Sequence, residues 1–152
     1  MRKIRNSVKA VIIENNELLT IRCEDKNGVF YMLPGGGQQL YELMPEALAR
    51  ECREEINCEV VVGKLLFIRE YRSDNHEFAE EDDSVHQIDF MFRCSLKKGS
   101  VPGIGSLPDP YQTGVEWLDI SRLMEYRFYP LTLREYIMDK SKTDYIYMGD
   151  IN

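Results

Sequence analysis

The segment from Gly35 to Cys58, GGGQQLYELMPEALARECREEINC, constrains this chain more than any other stretch. Three glycines stop regular structure. A helical period then begins near Pro45, whose missing N–H costs nothing in a first helical turn. Leu48, Cys52 and Ile56 recur every four residues, so the spacing predicts a helix over 45–56 with one buried stripe. Asn57 falls where a left-handed C-terminal cap belongs, a conformation Asn tolerates better than most residues. Glu51, Glu54 and Glu55 stand at i, i+3 and i+4, which sends three carboxylates out of one side of the helix. Like charges at this spacing cost a few tenths of a kcal/mol per pair. A divalent cation turns that repulsion into coordination, because Mg²⁺ takes a few carboxylate oxygens together with waters and phosphates. The glycines let backbone carbonyls reach a cation and let a phosphate come close. Arg50, beside Glu51, is placed to fix a carboxylate by charge-assisted hydrogen bonds. Taken alone, the E-x-x-E-E run would read as a solvated helix face balanced by Arg50 and Arg53.

The rest of the composition narrows what such a helix can serve. The formal net charge is −7 in 152 residues. That disfavours non-specific nucleic-acid binding, which needs clustered Lys and Arg. A small anionic substrate that arrives with a cation remains compatible. Cys23, Cys52, Cys58 and Cys94 form no C-x-x-C pair, and His76 and His86 lie at no zinc-finger spacing from them. They read as reduced, buried thiols of a cytoplasmic protein. The start, MRKIRNSVKAVII, has only a short apolar run broken by Lys9 and is no signal peptide. No stretch approaches the roughly 18–20 apolar residues that span a bilayer, so no membrane role is expected.

Around the helix, the chain reads as short strands. Val8–Ile13 and Leu18–Arg22 flank Asn15-Asn16 as a hairpin. A turn at 25–28 leads into a strand over Val29–Leu33. Val60–Val62 and Lys64–Tyr71 read as two strands. Ser73–Ser84 is an acidic loop, and Val85–Ser95 is a strand with Ile88, Phe90 and Phe92 on one face. Residues 97–114 form a long Gly- and Pro-rich loop. Val115–Leu118 is a last strand, and helices are expected near 121–126 and 130–140. The tail, 141–152, is expected to be loosely held. Strands with two or three helices suggest a mixed sheet between helical layers.

The segment over 35–58 also resembles the Nudix box: Gly, five residues, Glu, seven residues, Arg-Glu, an apolar residue, any residue, Glu-Glu, any residue, Gly, an apolar residue. Here those positions are Gly36, Glu42, Arg50, Glu51, Cys52, Glu54, Glu55, Asn57 and Cys58. Asn57 replaces the final Gly, which the left-handed cap explains. Cys52 and Cys58 take apolar positions, and the acids are intact. The order of elements outside the box also fits the family.

The resemblance implies one Nudix hydrolase domain over 1–152, an α/β fold with the Nudix-type α/β/α sandwich around a mixed β-sheet. It implies hydrolysis of a diphosphate linkage in a nucleoside diphosphate derivative, with Mg²⁺ or Mn²⁺ as cofactor. It would make Glu51 and Glu55 principal metal ligands, Glu54 a further one, and the Gly35 carbonyl another. Arg50 would orient Glu51, and Glu42 would support the loop. The base that takes the proton of water is either Glu51 or an acid of the later loop, Glu80, Glu81, Asp82 or Asp83. Glu54 is grouped with Glu51 and Arg50 as catalytic. Tyr71 and Arg72, ending a strand near that loop, are candidates for substrate contact, and His86 and Asp89 could face the site. Phe30, Tyr31, Trp117, Tyr126, Phe128 and Tyr129 are candidate rings for a nucleobase. A non-catalytic Nudix-fold nucleotide sensor is the alternative, and by family analogy a homodimer stays open.

Overall fold

The computed structural model describes residues 3–77, 84–144 and 146–152. Strands β1 (Arg5–Glu14) and β2 (Glu17–Asp25) form the expected hairpin. Asn15 and Asn16 both take positive φ, 50° and 63°, the pair of left-handed residues a tight two-residue turn requires. Then come β3 (Gly28–Met32), β4 (Gly35–Gly37), α1 (Met44–Ile56), β5 (Val60–Arg72), β6 (His86–Leu96) and β7 (Gln112–Asp119). After these lie β8 (Phe128–Tyr129), α2 (Leu133–Met138) and β9 (Tyr147–Asp150), with short 3-10 turns at Ser73–Asn75, Ile120–Glu125 and Lys140–Asp144.

The strands join in the order β8-β3-β2-β1-β6-β5-β9, with β4 on β1 and β7 on β2. The sheet is mixed, since β1–β6, β3–β8 and β5–β9 are parallel and the other pairs antiparallel. Strand β1 pairs with β2 only near the turn, at Ile13↔Leu18 and Glu14↔Glu17. Farther along, at Ser7–Lys9, it pairs with β4 instead. The hairpin strands therefore part, and the site opens where they do.

Alternation along β1 builds both layers of the core. Val8, Ala10 and Ile12 pack under Ala47, Leu48, Cys52 and Ile56 of α1. Val11 faces the opposite way, into a second cluster with Phe67, Met91, Leu133 and Ile137. Helices thus cover both faces of the mixed sheet, which is the expected sandwich. Leu48 is fully buried, and truncating a side chain of that kind to Ala costs about 2–5 kcal/mol.

Several expectations change. The two strands expected across Gly63 are one, β5, with irregular pairing to β6 between Val62 and Phe67. Gly63 is small because the Arg93 carbonyl passes close, 2.8 Å from where a Cβ would sit. The second predicted helix shortens to Leu133–Met138. The end of the expected loose tail is paired in the sheet. Its residues 147–150 form β9 beside β5, and Asp150 accepts hydrogen bonds from the Arg72 N–H (3.1 Å) and Asn75 Nδ2 (2.8 Å). His76 Nε2 lies 2.6 Å from Asp150 Oδ1.

Candidate active site

The bend at β4 fits only glycine. Gly35 has φ 139°, and a Cβ there would overlap the Val8 carbonyl. Its N–H donates to Glu55 Oε2 at 2.9 Å, and its carbonyl accepts from Lys9 Nζ at 3.2 Å. A Cβ on Gly36 would fall 2.6 Å from the Glu51 carboxyl carbon. The absence of side chains is what lets both glutamates lie against the backbone.

Helix α1 presents the acids. Its first turn lacks a side-chain N-cap, because Leu43 holds that position, but Glu46 Oε2 accepts from the Leu43 N–H at 2.8 Å. Its last turn closes on Asn57, at φ 55° and ψ 35°. The carbonyls left open at that end are met by the long loop. Gly103 N–H donates to Ile56 O, Gly105 N–H to Glu55 O and Leu107 N–H to Glu54 O, at 3.0, 3.2 and 3.0 Å. A side chain at Gly105 would overlap the Glu54 carbonyl. This loop also carries Leu107 and Asp109 to the cavity.

Arg50 ties the box together. Nε and Nη2 donate to the two oxygens of Glu42 at 2.8 and 3.1 Å, and Nη2 also reaches Gly37 O at 3.0 Å. Nη1 donates to Glu51 Oε1 at 2.9 Å and Glu54 Oε2 at 3.2 Å. The fork holds Glu42 below its ordinary pKa and raises that of Arg50 itself. Such two-pronged contacts orient as well as attract. Glu55 differs. It is 4% exposed, and burial pushes its pKa up to about 7, with Glu51 and Asp109 adding to the rise. Lys9 and the Gly35 N–H work against that rise.

These groups form one wall of a cavity of about 460 Å³. The opposite wall comes from the strands. Arg69 and Tyr71 of β5, Gln87 and Asp89 of β6, and Asn152 line it. Asp89 is 1% exposed, and Arg69 Nε donates to its Oδ2 at 2.6 Å. Burial alone would raise the Asp89 pKa, but Arg69, with Lys9, more than reverses this and leaves it below its ordinary value. Tyr71 stacks on His76, with ring centroids 5.3 Å apart.

Glu51, Glu55 and Gly35 therefore meet at the cavity, with Arg50 behind them. Glu54 does not line it and is held by Arg50. Tyr71 lines it, but Arg72 does not; its guanidinium turns outward to Asp74 at 2.8 Å. Asp89 faces the cavity, while His86 pairs with Glu70 at 2.8 Å instead. Of the candidate rings, Phe30 and Tyr129 line it. Tyr31, Trp117, Tyr126 and Phe128 pack in the core clusters. Glu80, Glu81, Asp82 and Asp83 lie outside the described residues. Lys9, Arg69, Asp109 and Asn152 had no motif to announce them. Arg69 was within reach of strand alternation, since residues two apart on a strand share a face and Tyr71 was already a candidate.

Among the described residues, no three acidic, histidine or cysteine side chains converge on one point. Among those residues, a closed protein cage is thus not present. The donors on the wall are hard oxygens, two carboxylates and a carbonyl around a bend that only glycine fits. That set suits Mg²⁺, which binds through one or two carboxylates and completes its shell with waters and phosphate oxygens.

A family model of the NUDIX domain matches residues 3–138. No protein of curated function matches the chain in sequence. Solved structures do match in fold. A NUDIX hydrolase from Nitrosomonas europaea superposes with a TM-score of 0.71 at 17% identity, covering 95% of this chain and 93% of its own. A MutT protein from Methanosarcina mazei Go1 gives 0.68 at 19% identity, covering 90% and 91%. An ADP-ribose pyrophosphatase from Streptococcus suis gives 0.62 at 15%, covering 97% and 100%. With the box geometry and a family match over most of its length, the chain belongs to the Nudix hydrolase family.

Proposed function

We propose that this protein hydrolyses a diphosphate linkage in a nucleoside diphosphate derivative, assisted by Mg²⁺ or Mn²⁺. The observation that carries the reading is the pairing of Glu51 and Glu55 with the backbone of Gly36 and Gly35, on the wall of a cavity large enough for a small ligand. A divalent cation held by Glu51, Glu55 and the Gly35 carbonyl would neutralise diphosphate charge and make a nearby water more acidic. Glu54, one turn along the same helix and held by Arg50 outside the cavity lining, is the further candidate ligand.

The chain's own groups do the rest. Arg50 fixes one Glu51 oxygen and leaves the other to accept a proton from the attacking water. The acids at 80–83 are the alternative source of that base. The Gly35 N–H fixes Glu55. The Lys9 ammonium offsets carboxylate charge where an anionic substrate must approach. Among the described residues, no helix is long and apolar enough to cross a membrane, in keeping with a small-molecule substrate.

The test is a panel of nucleoside triphosphates, nucleoside diphosphate sugars and dinucleoside polyphosphates, assayed with Mg²⁺ for wild type and Glu55→Gln. Turnover of some members by wild type, lost in the variant, is the expected result. A panel bound tightly but left intact would favour the sensor alternative.

A further inference from the structure

We infer that Lys9 is a positioning residue for the divalent ion: its ammonium holds the Gly35 carbonyl in the ion-free protein and must leave it when Mg²⁺ or Mn²⁺ binds. The inference rests on the metal-assisted reading above and adds what an ion has to displace in order to enter.

The placement follows from strand register. Lys9 of β1 stands opposite Gly35 of β4, and its Nζ donates to Gly35 O at 3.2 Å. That is the one hydrogen bond the ammonium makes among the described residues, although it carries three donors. On its other side β1 runs parallel to β6, with Ser7 beside Asp89 and Lys9 beside Met91. Residues two apart on a strand share a face, and all four of these line the cavity.

The glycine bend itself is pinned. Pro34 O accepts from the Ala10 N–H at 2.9 Å, and the Gly35 N–H donates to Glu55 Oε2 at 2.9 Å. Gly35 O is thus offered from a fixed backbone. The part free to move is the lysine, a point charge on a flexible four-carbon stem.

Charge decides the exchange. The lining carries the carboxylates of Glu51, Glu55, Asp89 and Asp109 against the cations Arg5, Lys9 and Arg69. Arg69 is committed to Asp89, and the Arg5 guanidinium lies against Gly37. Lys9 favours the charged forms of both Glu55 and Asp89, so it acts as the counter-cation between the two walls. An ion on the Gly35 carbonyl would take over that task. Mg²⁺ bonds oxygen at about 2.1 Å, so even on opposite sides of Gly35 O the two cations would be only about 5 Å apart. They repel, and the weaker, mobile one yields.

A landing place is at hand. Asp89 lies diagonally across from Lys9, about 8 Å away by strand spacing and rise. Arg69 takes one site on its Oδ2 and Gln87 one on its Oδ1, with the Ser7 hydroxyl nearby. A carboxylate offers about four lone-pair sites, which leaves room for an ammonium.

The test is a titration of Mn²⁺ into the substrate-free protein, followed by the paramagnetic resonance of the unbound ion. Lys9→Met should bind Mn²⁺ about 10–100-fold more tightly than wild type, the effect of removing one positive charge from beside a divalent one in a solvated cavity. A lysine with a merely structural role would leave binding unchanged or weaker. Arg5→Met removes the same charge from the same strand but away from Gly35 O, and should shift affinity by less than about threefold. Lys9→Gln, which keeps a donor without the charge, should also bind more tightly than wild type. Wild-type crystals grown with Mn²⁺ decide the matter even where Lys9→Met does not fold: the ion should sit on Gly35 O, with Nζ turned away toward Asp89. Unchanged or weaker affinity in Lys9→Met, equal tightening in Arg5→Met, or Nζ still on Gly35 O beside the bound ion would overturn the inference. Turnover of diphosphates by wild type with Mg²⁺ judges the hydrolase reading separately, so either can fail alone.

Discussion

The two walls of the cavity are built in opposite ways. On the box wall, Arg50 gathers Gly37, Glu42, Glu51 and Glu54, all within one short stretch of chain. Its charges are partly solvated and share several partners. On the strand wall, Arg69 and Asp89 meet from two strands with Ile151, which follows a third, and one buried ion pair dominates. A network with spare partners tolerates the loss of one contact, whereas a single buried pair does not. The box wall should therefore lose chemistry before it loses stability, and the strand wall the reverse.

The sharpest test of that contrast is Glu51→Gln. If Glu51 takes the proton, kcat should fall by about 10²–10⁴-fold. Melting temperature should barely move, because Arg50 keeps Glu42 and Gly37. A loss below tenfold would shift the base to residues 80–83. On the other wall, Arg69→Met strands the buried Asp89 carboxylate. Urea unfolding should show about 3–5 kcal/mol lost, with much of it regained when Asp89→Leu is added. Failure of the double variant to recover would mean the pair also holds the tail in place.

A smaller effect is expected at Arg50. Arg50→Lys keeps the charge but not the fork, and should cost activity about 10–100-fold, as lost support behind metal-binding carboxylates does, with only a modest drop in stability. Equal activity would show that charge alone suffices.

Acid should separate the walls more gently. Asp89 titrates below its ordinary 3.8 in the folded state. Its contribution is therefore complete above that value and is lost as pH falls from there through the folded pKa. Wild-type stability should drop more steeply between pH 5 and 2 than that of Asp89→Asn, on the scale of those values. Parallel curves would remove Asp89 from the account. The least effect concerns the thiols. All four cysteines are buried, and burial pushes the Cys23 pKa up to about 12 and that of Cys94 to about 11. Ellman's reagent at pH 8 should label them only after denaturation, and rapid native labelling would show that the α1 layer opens.

The same contrast explains what could be read from the chain alone. The box wall is contiguous, so spacing, glycine bend and Asn57 cap were all visible as a string. The strand wall needs register. Tyr71 and Arg72 were paired as candidates, yet neighbours on a strand point to opposite faces, and the structure keeps Tyr71 with Arg69 and sends Arg72 outward. Strand β9 was invisible for a different reason. Tyr147-Met148-Gly149-Asp150 has no alternation of buried and exposed positions, and its place depends on pairing with a strand some 80 residues earlier. The long loop showed its glycines, but not that Gly105 lets its backbone cap α1.

Strand β9 has a consequence for how the protein is made. It leaves the ribosome after every other element described here, yet it completes the wall that carries Arg69 and, through Asp150, clasps residues 72–76. A nascent chain stalled short of it would already own its glycine bend and acidic helix, with a gap where the far wall belongs. During synthesis, the box wall is complete in sequence long before the strand that closes the wall facing it.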